Sequence, residues 1–255
     1  MQAIPVTAFS DNYIWLVPGP DMPHSVAVVD PGDAAPVLDT LTRLALLPAA
    51  ILVTHHHYDH VGGIQALRSR FDIPVYGPAR GAIPGCEHRV SEGDALTLGN
   101  GLSYTVLETP GHTLDHLAYY GGKALFCGDT LFAGGCGRLF EGSAQQMYRS
   151  LEKIRQLPGD TLIYCAHEYT LGNLRFASLV EPDNRALATR LADTLALRRQ
   201  GQPTVPSTLA LEKETNPFLR CHIPAVQQAA ERFSGRSLAT PEAVFTVIRY
   251  WKDSA

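Results

Sequence analysis

The chain has 255 residues, 45% of them apolar and 18% charged, with a formal charge of −4. That apolar share supports a substantial core in one large domain or two small ones, and the negative balance offers no long-range attraction to nucleic acid or an anionic membrane. No apolar run approaches a membrane span, no basic segment followed by an apolar one opens the chain, and five cysteines without a Cys-x-x-Cys pair fit free thiols in a reducing cytosol.

Residues 4–9 and 13–17 read as strands broken by Ser10-Asp11-Asn12, and 25–29 as a third strand ending in Asp30-Pro31-Gly32. Leucines at 38, 41 and 44 predict an amphipathic helix over 36–47. The run 49–53 predicts a buried strand that delivers Thr54-His55-His56-His57-Tyr58-Asp59-His60, and Ile64, Leu67 and Phe71 predict a helix starting near His60. Further strands are expected at 75–76, 95–98, 102–108, 123–126 and 161–165, punctuated by Gly/Pro clusters. After His167 the pattern turns helical, over 170–180, 184–200, 223–233 and 241–252, with Thr240 placed to cap and Pro241 at a helix start. The expected organisation is a metal-binding catalytic domain over 1–168 and a mostly helical domain over 169–255. The second part holds none of the candidate ligands, so its expected role is substrate binding or support.

Four of the ten histidines fall within six consecutive positions. In an extended segment alternate side chains share a direction. His55 and His57 can therefore converge while His56 points elsewhere, which makes His56 expendable. Asp59 and His60 lie past the turn and can face a second point. Mixed imidazole and carboxylate donors suit zinc, iron or manganese. Three later strands end in a residue of the same kind: Gly111-His112, Gly128-Asp129 and Ala166-His167. A lone histidine after a strand is an ordinary loop residue; five histidines and two aspartates in this order are a two-metal pattern. Such a pair of ions can share a hydroxide whose parent water has its pKa lowered from about 15.7 toward about 7.

T-H-x-H-x-D-H, then G-H, G-D-T and a final H resembles the metallo-β-lactamase superfamily. Within it, Gly135-Cys136-Gly137-Arg138-Leu139-Phe140-Glu141-Gly142 and Cys165-Ala166-His167-Glu168-Tyr169-Thr170 are similar to the glyoxalase II, or hydroxyacylglutathione hydrolase, family. The likeness runs from Asp11-Asn12-Tyr13 to Asn216-Pro217-Phe218 and the last helix. It implies an α+β fold, an αββα sandwich followed by a helical domain. It also implies that His55, His57 and His112 bind one divalent ion, that Asp59, His60 and His167 bind the other, and that Asp129 bridges them. Asp59 and Asp129 are catalytic in that sense, as ligands that hold the hydroxide.

The implied reaction is hydrolysis of S-D-lactoylglutathione, or a related S-2-hydroxyacylglutathione, to a 2-hydroxy acid and glutathione, the last step of methylglyoxal detoxification. Zinc is the first choice of metal, with iron or manganese as alternatives. Substrate contacts are implied at Arg138, Phe140, Tyr169, Arg249 and Lys252, although Phe140 cannot donate a hydrogen bond and could only pack. The resemblance leans toward a cytoplasmic monomer with no nucleic-acid or membrane partner. The alternative is a hydrolase of the same fold acting on another ester or a phosphodiester, but a nuclease should carry basic stretches for phosphates and none is apparent. An exported lactamase should carry a signal. A structural metal protein would need only about four ligands, fewer than the seven candidates. Asp30 is open between orienting a ligand histidine and making a plain turn. Cys127, Cys136 and Cys165 read as buried apolar residues, and His24, His88 and His222 as ordinary ones.

Overall fold

The apolar runs near the N-terminus become strands of one sheet in the computed structural model, which describes residues 2–255. Strands β1 (Ile4–Ala8), β2 (Asn12–Pro18) and β3 (Ser25–Val29) pair antiparallel. Helix α1 (Ala34–Arg43) then returns the chain to β4 (Leu47–Leu52), which lies parallel to β3. Two short helices, α2 (Tyr58–Val61) and α3 (Ile64–Arg68), lead to β5 (Val75–Pro78) and β6 (His88–Val90), both parallel additions. The six strands stand in chain order. A second group is an antiparallel meander of β7 (Ala95–Thr97), β8 (Ser103–Glu108), β9 (Leu117–Gly121) and β10 (Ala124–Gly128).

Every residue of β2 from Tyr13 to Val17 is buried, so the strand is covered on both faces. On one face Val6, Ile14, Leu16, Val26, Val28 and Ile51 pack with Val37 and Leu41 of α1 and Ile64 and Leu67 of α3. At about 1.5–3 kcal/mol for each large apolar side chain fully buried, this stripe fixes the register, because a one-residue slip would expose it. The Tyr119 hydroxyl of β9 donates to the Val53 carbonyl at 2.7 Å, tying the second group of strands to the end of β4.

Helix α1 departs from expectation. It begins earlier, because Asp33 caps it by accepting from the Ala35 N–H at 2.9 Å. It ends at Arg43, because Ala45 turns left-handed at φ +51°; the leucine spacing ran past the real end. The helix expected near His60 is split at Gly62-Gly63. A Cβ on Gly63 would stand 2.7 Å from the Pro31 carbonyl oxygen, so only glycine admits this approach of the Asp30-Pro31-Gly32 turn.

These elements belong to one compact unit, which runs to Thr109 and includes Leu114–Gly128; the other comprises Pro110–Thr113 and Asp129–Ala255. In the second unit a small hairpin of β11 (Leu131–Phe132) and β12 (Gly135–Cys136) precedes α4 (Ala144–Arg155). Helix α4 was not among the expected elements, although Ser143 and Gln146 form a capping box at its start. Strand β13 (Leu162–Cys165) pairs antiparallel with β14 (Ser207–Thr208). Between and after them lie α5 (Thr170–Val180), α6 (Arg185–Arg199), α7 (Leu209–Thr215), α8 (Pro224–Ser234) and α9 (Pro241–Ser254). The four expected helices are all present here, each within two residues at its ends. Leu174 and Ala177 of α5 pack on Leu187 and Leu191 of α6. The α+β class is as expected. Among the described residues no helix is long and apolar enough to cross a membrane.

Candidate metal centre

In the first unit the loop after β4 is built around one carboxylate. Asp30 sits at the end of β3 in a left-handed conformation, φ +52°, and is buried. Its Oδ1 accepts from the Thr54 N–H at 2.7 Å and its Oδ2 from the Thr54 hydroxyl at 2.8 Å. The same Oδ2 stands 3.1 Å from His60 Nδ1. Asp30 therefore ties down Thr54 and stands against a candidate ligand histidine, which is more than a plain turn.

Its hydrogen bonds also fix tautomers. The Thr54 hydroxyl proton is committed to Asp30, so at 3.0 Å Thr54 Oγ1 accepts from His55 Nδ1–H. His55 Nε2 is then the lone-pair nitrogen, and it stands 3.0 Å from His57 Nδ1. The His60 ring lies between two carboxylates, with Nδ1 3.1 Å from Asp30 Oδ2 and Nε2 3.4 Å from Asp59 Oδ2. Asp59 is held in turn by the Asn12 amide, which donates to Oδ2 at 2.9 Å. The alternation expected across 55–57 is observed: His56 turns to Asp115, with Nδ1 2.9 Å from its Oδ1.

The second unit carries the other three donors. His112 Nδ1 donates to the Arg138 carbonyl at 2.9 Å, because a carbonyl can only accept, and Nε2 is left as the lone-pair atom. Asp129 Oδ2 lies 3.3 Å from His112 Nε2 and 3.4 Å from His167 Nε2. One carboxylate oxygen thus serves two imidazoles, as a bridging ligand would. Two atoms bound at a tetrahedral angle, each about 2.1 Å from a metal, stand about 3.4 Å apart. The spacings within both units match that edge. Nitrogen and carboxylate donors with their protons already directed away fit divalent ions.

The candidate substrate residues fall into two kinds. Tyr169 and Phe140 are exposed and lie against ligand rings: Tyr169 stacks on His167 at 4.7 Å with planes 6° apart, and Phe140 meets His112 edge-on at 5.2 Å. Phe132 packs edge-on against Tyr169 at 5.2 Å. The cationic residues are engaged with one another's partners. Arg138 is exposed, with Nε 3.5 Å from Asp253 Oδ1. Arg249 is buried, and donates to the Cys136 carbonyl and to Asp253 Oδ1, both at 2.9 Å. Lys252 is half-buried and donates to the Asn173 side-chain oxygen. Burial first, and then the neighbouring Arg249 charge, pulls its pKa down to about 8.

Sequence reasoning missed Asn12, Thr54, Asp115 and His116. Asn12 is in the Asp11-Asn12-Tyr13 turn and Thr54 opens the histidine motif, so both lay in noticed segments without an assigned partner. Nothing local marks Asp115 and His116, whose partners are distant in sequence. Cys127, Cys136 and Cys165 are buried as expected, Cys221 is buried too, and burial pushes the Cys165 thiol up to about 12. His24, His88 and His222 are exposed.

Residues 23–167 match the model of the metallo-β-lactamase superfamily, and residues 168–255 match the model described as hydroxyacylglutathione hydrolase C-terminus. A curated hydroxyacylglutathione hydrolase of Nitrosomonas europaea is 52% identical, over the whole of this chain and 96% of the relative. One of Alkalilimnicola ehrlichii is 53% identical, over the whole chain and 99% of the relative. Among solved structures, ETHE1 from Myxococcus xanthus aligns over all of this chain and 99% of its own, with 26% identity and a TM-score of 0.66. A protein solved in a di-iron-bound form aligns over 86% of this chain and all of its own, with 27% identity and a TM-score of 0.60. Two family models that together run from residue 23 to the last residue, and relatives alike from end to end, have one reading: the chain belongs to the metallo-β-lactamase superfamily and, within it, to the hydroxyacylglutathione hydrolases, an enzyme family.

Proposed function

We propose that the protein hydrolyses the thioester of S-D-lactoylglutathione, or a related S-2-hydroxyacylglutathione, to a 2-hydroxy acid and glutathione. The observation that carries this reading is identity of about half the residues with hydroxyacylglutathione hydrolases, in alignments that span the whole chain. In this reading the reaction closes the detoxification of methylglyoxal, in the cytoplasm, by a monomer. Residues 1–168 serve the metal chemistry and 169–255 the substrate.

His55, His57 and His112 would hold one divalent ion, and Asp59, His60 and His167 the other, with Asp129 between them. Zinc is the first choice for this mixed nitrogen and oxygen set, with iron and manganese as alternatives. Bound ions supply a polarised thioester carbonyl and a water whose pKa falls from about 15.7 toward about 7. The protein's own contribution is orientation: the Arg138 carbonyl keeps His112 in one tautomer, Thr54 does so for His55, and the buried Asp30 carboxylate stands 3.1 Å from His60 Nδ1. A departing thiol has a pKa of about 8.5, so no side-chain acid is required to release it. Arg138 and Lys252 offer cations to the glutathione carboxylates, Tyr169 and Phe140 offer ring faces, and Arg249 holds the Cys136 carbonyl beside them.

The test is turnover of S-D-lactoylglutathione by purified protein, paired with elemental analysis after gel filtration. The expected result is hydrolysis with close to two metals per chain, and Asp129→Ala should disturb both ions, whereas His112→Ala should mainly weaken one. Absence of thioester turnover in metal-loaded protein overturns the function. Full activity with a single metal overturns the ligand assignment.

A further inference from the structure

His56 has no place in the ligand set, yet its ring is anchored. Its partner Asp115 is only 6% exposed, and a carboxylate buried that deeply costs stability unless it is compensated. Asp115 Oδ1 meets His56, whereas Oδ2 has no hydrogen-bond partner among the described residues. Gly81, at φ +93°, makes room for that oxygen; a Cβ there would stand 2.5 Å from it. A group that only had to fill space would be better served by an apolar side chain. The next residue, His116, is fully buried, with Nδ1 3.0 Å from Thr109 Oγ1. Its ring stacks on His55 at 4.7 Å, with planes 22° apart. One residue further, the Leu117 N–H donates to the Thr54 carbonyl at 2.8 Å.

These contacts run in opposite directions along the two segments, 54 with 117, 55 with 116 and 56 with 115. That is the order of an antiparallel pairing continued beyond the end of β4. We propose that Asp115-His116-Leu117 is a clamp that holds the histidine loop in its ligand geometry, with His56 and Asp115 as positioning residues. Leu117 fixes the backbone at the loop's root, His116 fixes the face of the His55 ring, and Asp115 fixes the segment between His55 and His57 through the ring of His56. The clamp begins three residues after His112, so the chain itself links it to a second candidate ligand. The sequence expectation that His56 is expendable is replaced: the ring points away from the ligands because it is the handle by which their loop is held.

The clamp rests on the proposed ligand assignment, and the experiment separates the two. Full-length protein freed of metal is titrated with zinc against a chromophoric chelator, and its thermal unfolding is recorded in parallel. His56→Ala and Asp115→Ala should each weaken zinc binding about tenfold, the lower end of losses from outer-sphere partners. The double variant should lose no more than either single one, since all three remove one contact. Asp115→Asn, which keeps an oxygen for His56 Nδ1–H, should recover most of the affinity. If Asp115→Ala does not fold, His56→Ala, Asp115→Asn and their combination decide the same question. A lowered melting temperature with unchanged zinc affinity, or losses that add independently, overturns the clamp. Wild type that binds no zinc overturns the ligand assignment instead.

Discussion

Glu212 offers the sharpest quantitative test of how the second unit supports the candidate centre. It is fully buried on α7 and accepts from four donors on three other stretches of chain and its own helix end. It pairs with the Arg190 guanidinium, accepts from the Ser207 hydroxyl, and takes the Gly134 N–H at 2.8 Å and the Asn216 amide at 3.1 Å. Asn216 also donates to the Phe132 and Gly135 carbonyls, at 3.2 and 3.0 Å. Together they grip the hairpin that follows Asp129. Glu212→Gln keeps the volume but removes the charge, and its amide must turn an NH₂ toward groups that are themselves donors. Breaking one side of a buried ion pair costs about 3–5 kcal/mol, and no cavity adds to it. Arg190→Met removes the other side of the same pair and should cost a similar amount, because the three donors that Glu212 keeps are all neutral. Native-state hydrogen exchange read by peptide mass gives the second unit its own opening free energy. A loss below about 1 kcal/mol for either variant would refute the reasoning.

Two further outcomes follow from particular residues. With its pKa drawn down to about 8, Lys252 is charged below that pH and neutral above it. KM for the glutathione thioester should therefore climb between pH 7 and 9, and Lys252→Arg, which stays charged throughout, should flatten the climb; an identical pH profile in the two proteins counts against a role in substrate binding. Gly128→Ala places a Cβ 2.4 Å from Thr54 Oγ1 and 2.9 Å from His116 Nε2 at a left-handed φ of +46°. It should cost about 2–3 kcal/mol in urea titration from overpacking and backbone strain, and a variant as stable as wild type would mean that the Thr54 side chain has room to shift.

Much of the candidate centre was legible because its donors obey local rules. His55, Asp129 and His167 closely follow apolar runs that form strands, and alternation alone separates His56 from His55 and His57. Four of the helices after His167 were legible, and a cap or proline marks the start of three: Asn184 for α6, Pro224 for α8, and Thr240 with Pro241 for α9; the short α7 was not expected. What escaped reading depends on distance in sequence. Asn12 reaches Asp59 across 47 positions and His56 reaches Asp115 across 59, and no pattern within either segment announces its partner. Helix α4 does carry local signals, a capping box at Ser143 and Gln146 and then Met147, Leu151 and Ile154 at helical spacing. The end of α1 was misread because Leu44 fits the helical spacing while the left-handed Ala45 after it stops the helix.

The burial of the cysteines bears on the chemical setting in which such an enzyme works. Hydrolysis of a glutathione thioester releases a thiol at every turnover, and thiol–disulfide exchange proceeds by attack of a thiolate. Burial holds the thiols of Cys136, Cys165 and Cys221 above their ordinary pKa, and Cys127 is buried with them. A thiol that is both protonated and enclosed is a poor nucleophile and a poor target. Where the glutathione pool is partly oxidised, these four sulfurs are poor thiolates for attack on glutathione disulfide, so mixed disulfides should form on them slowly.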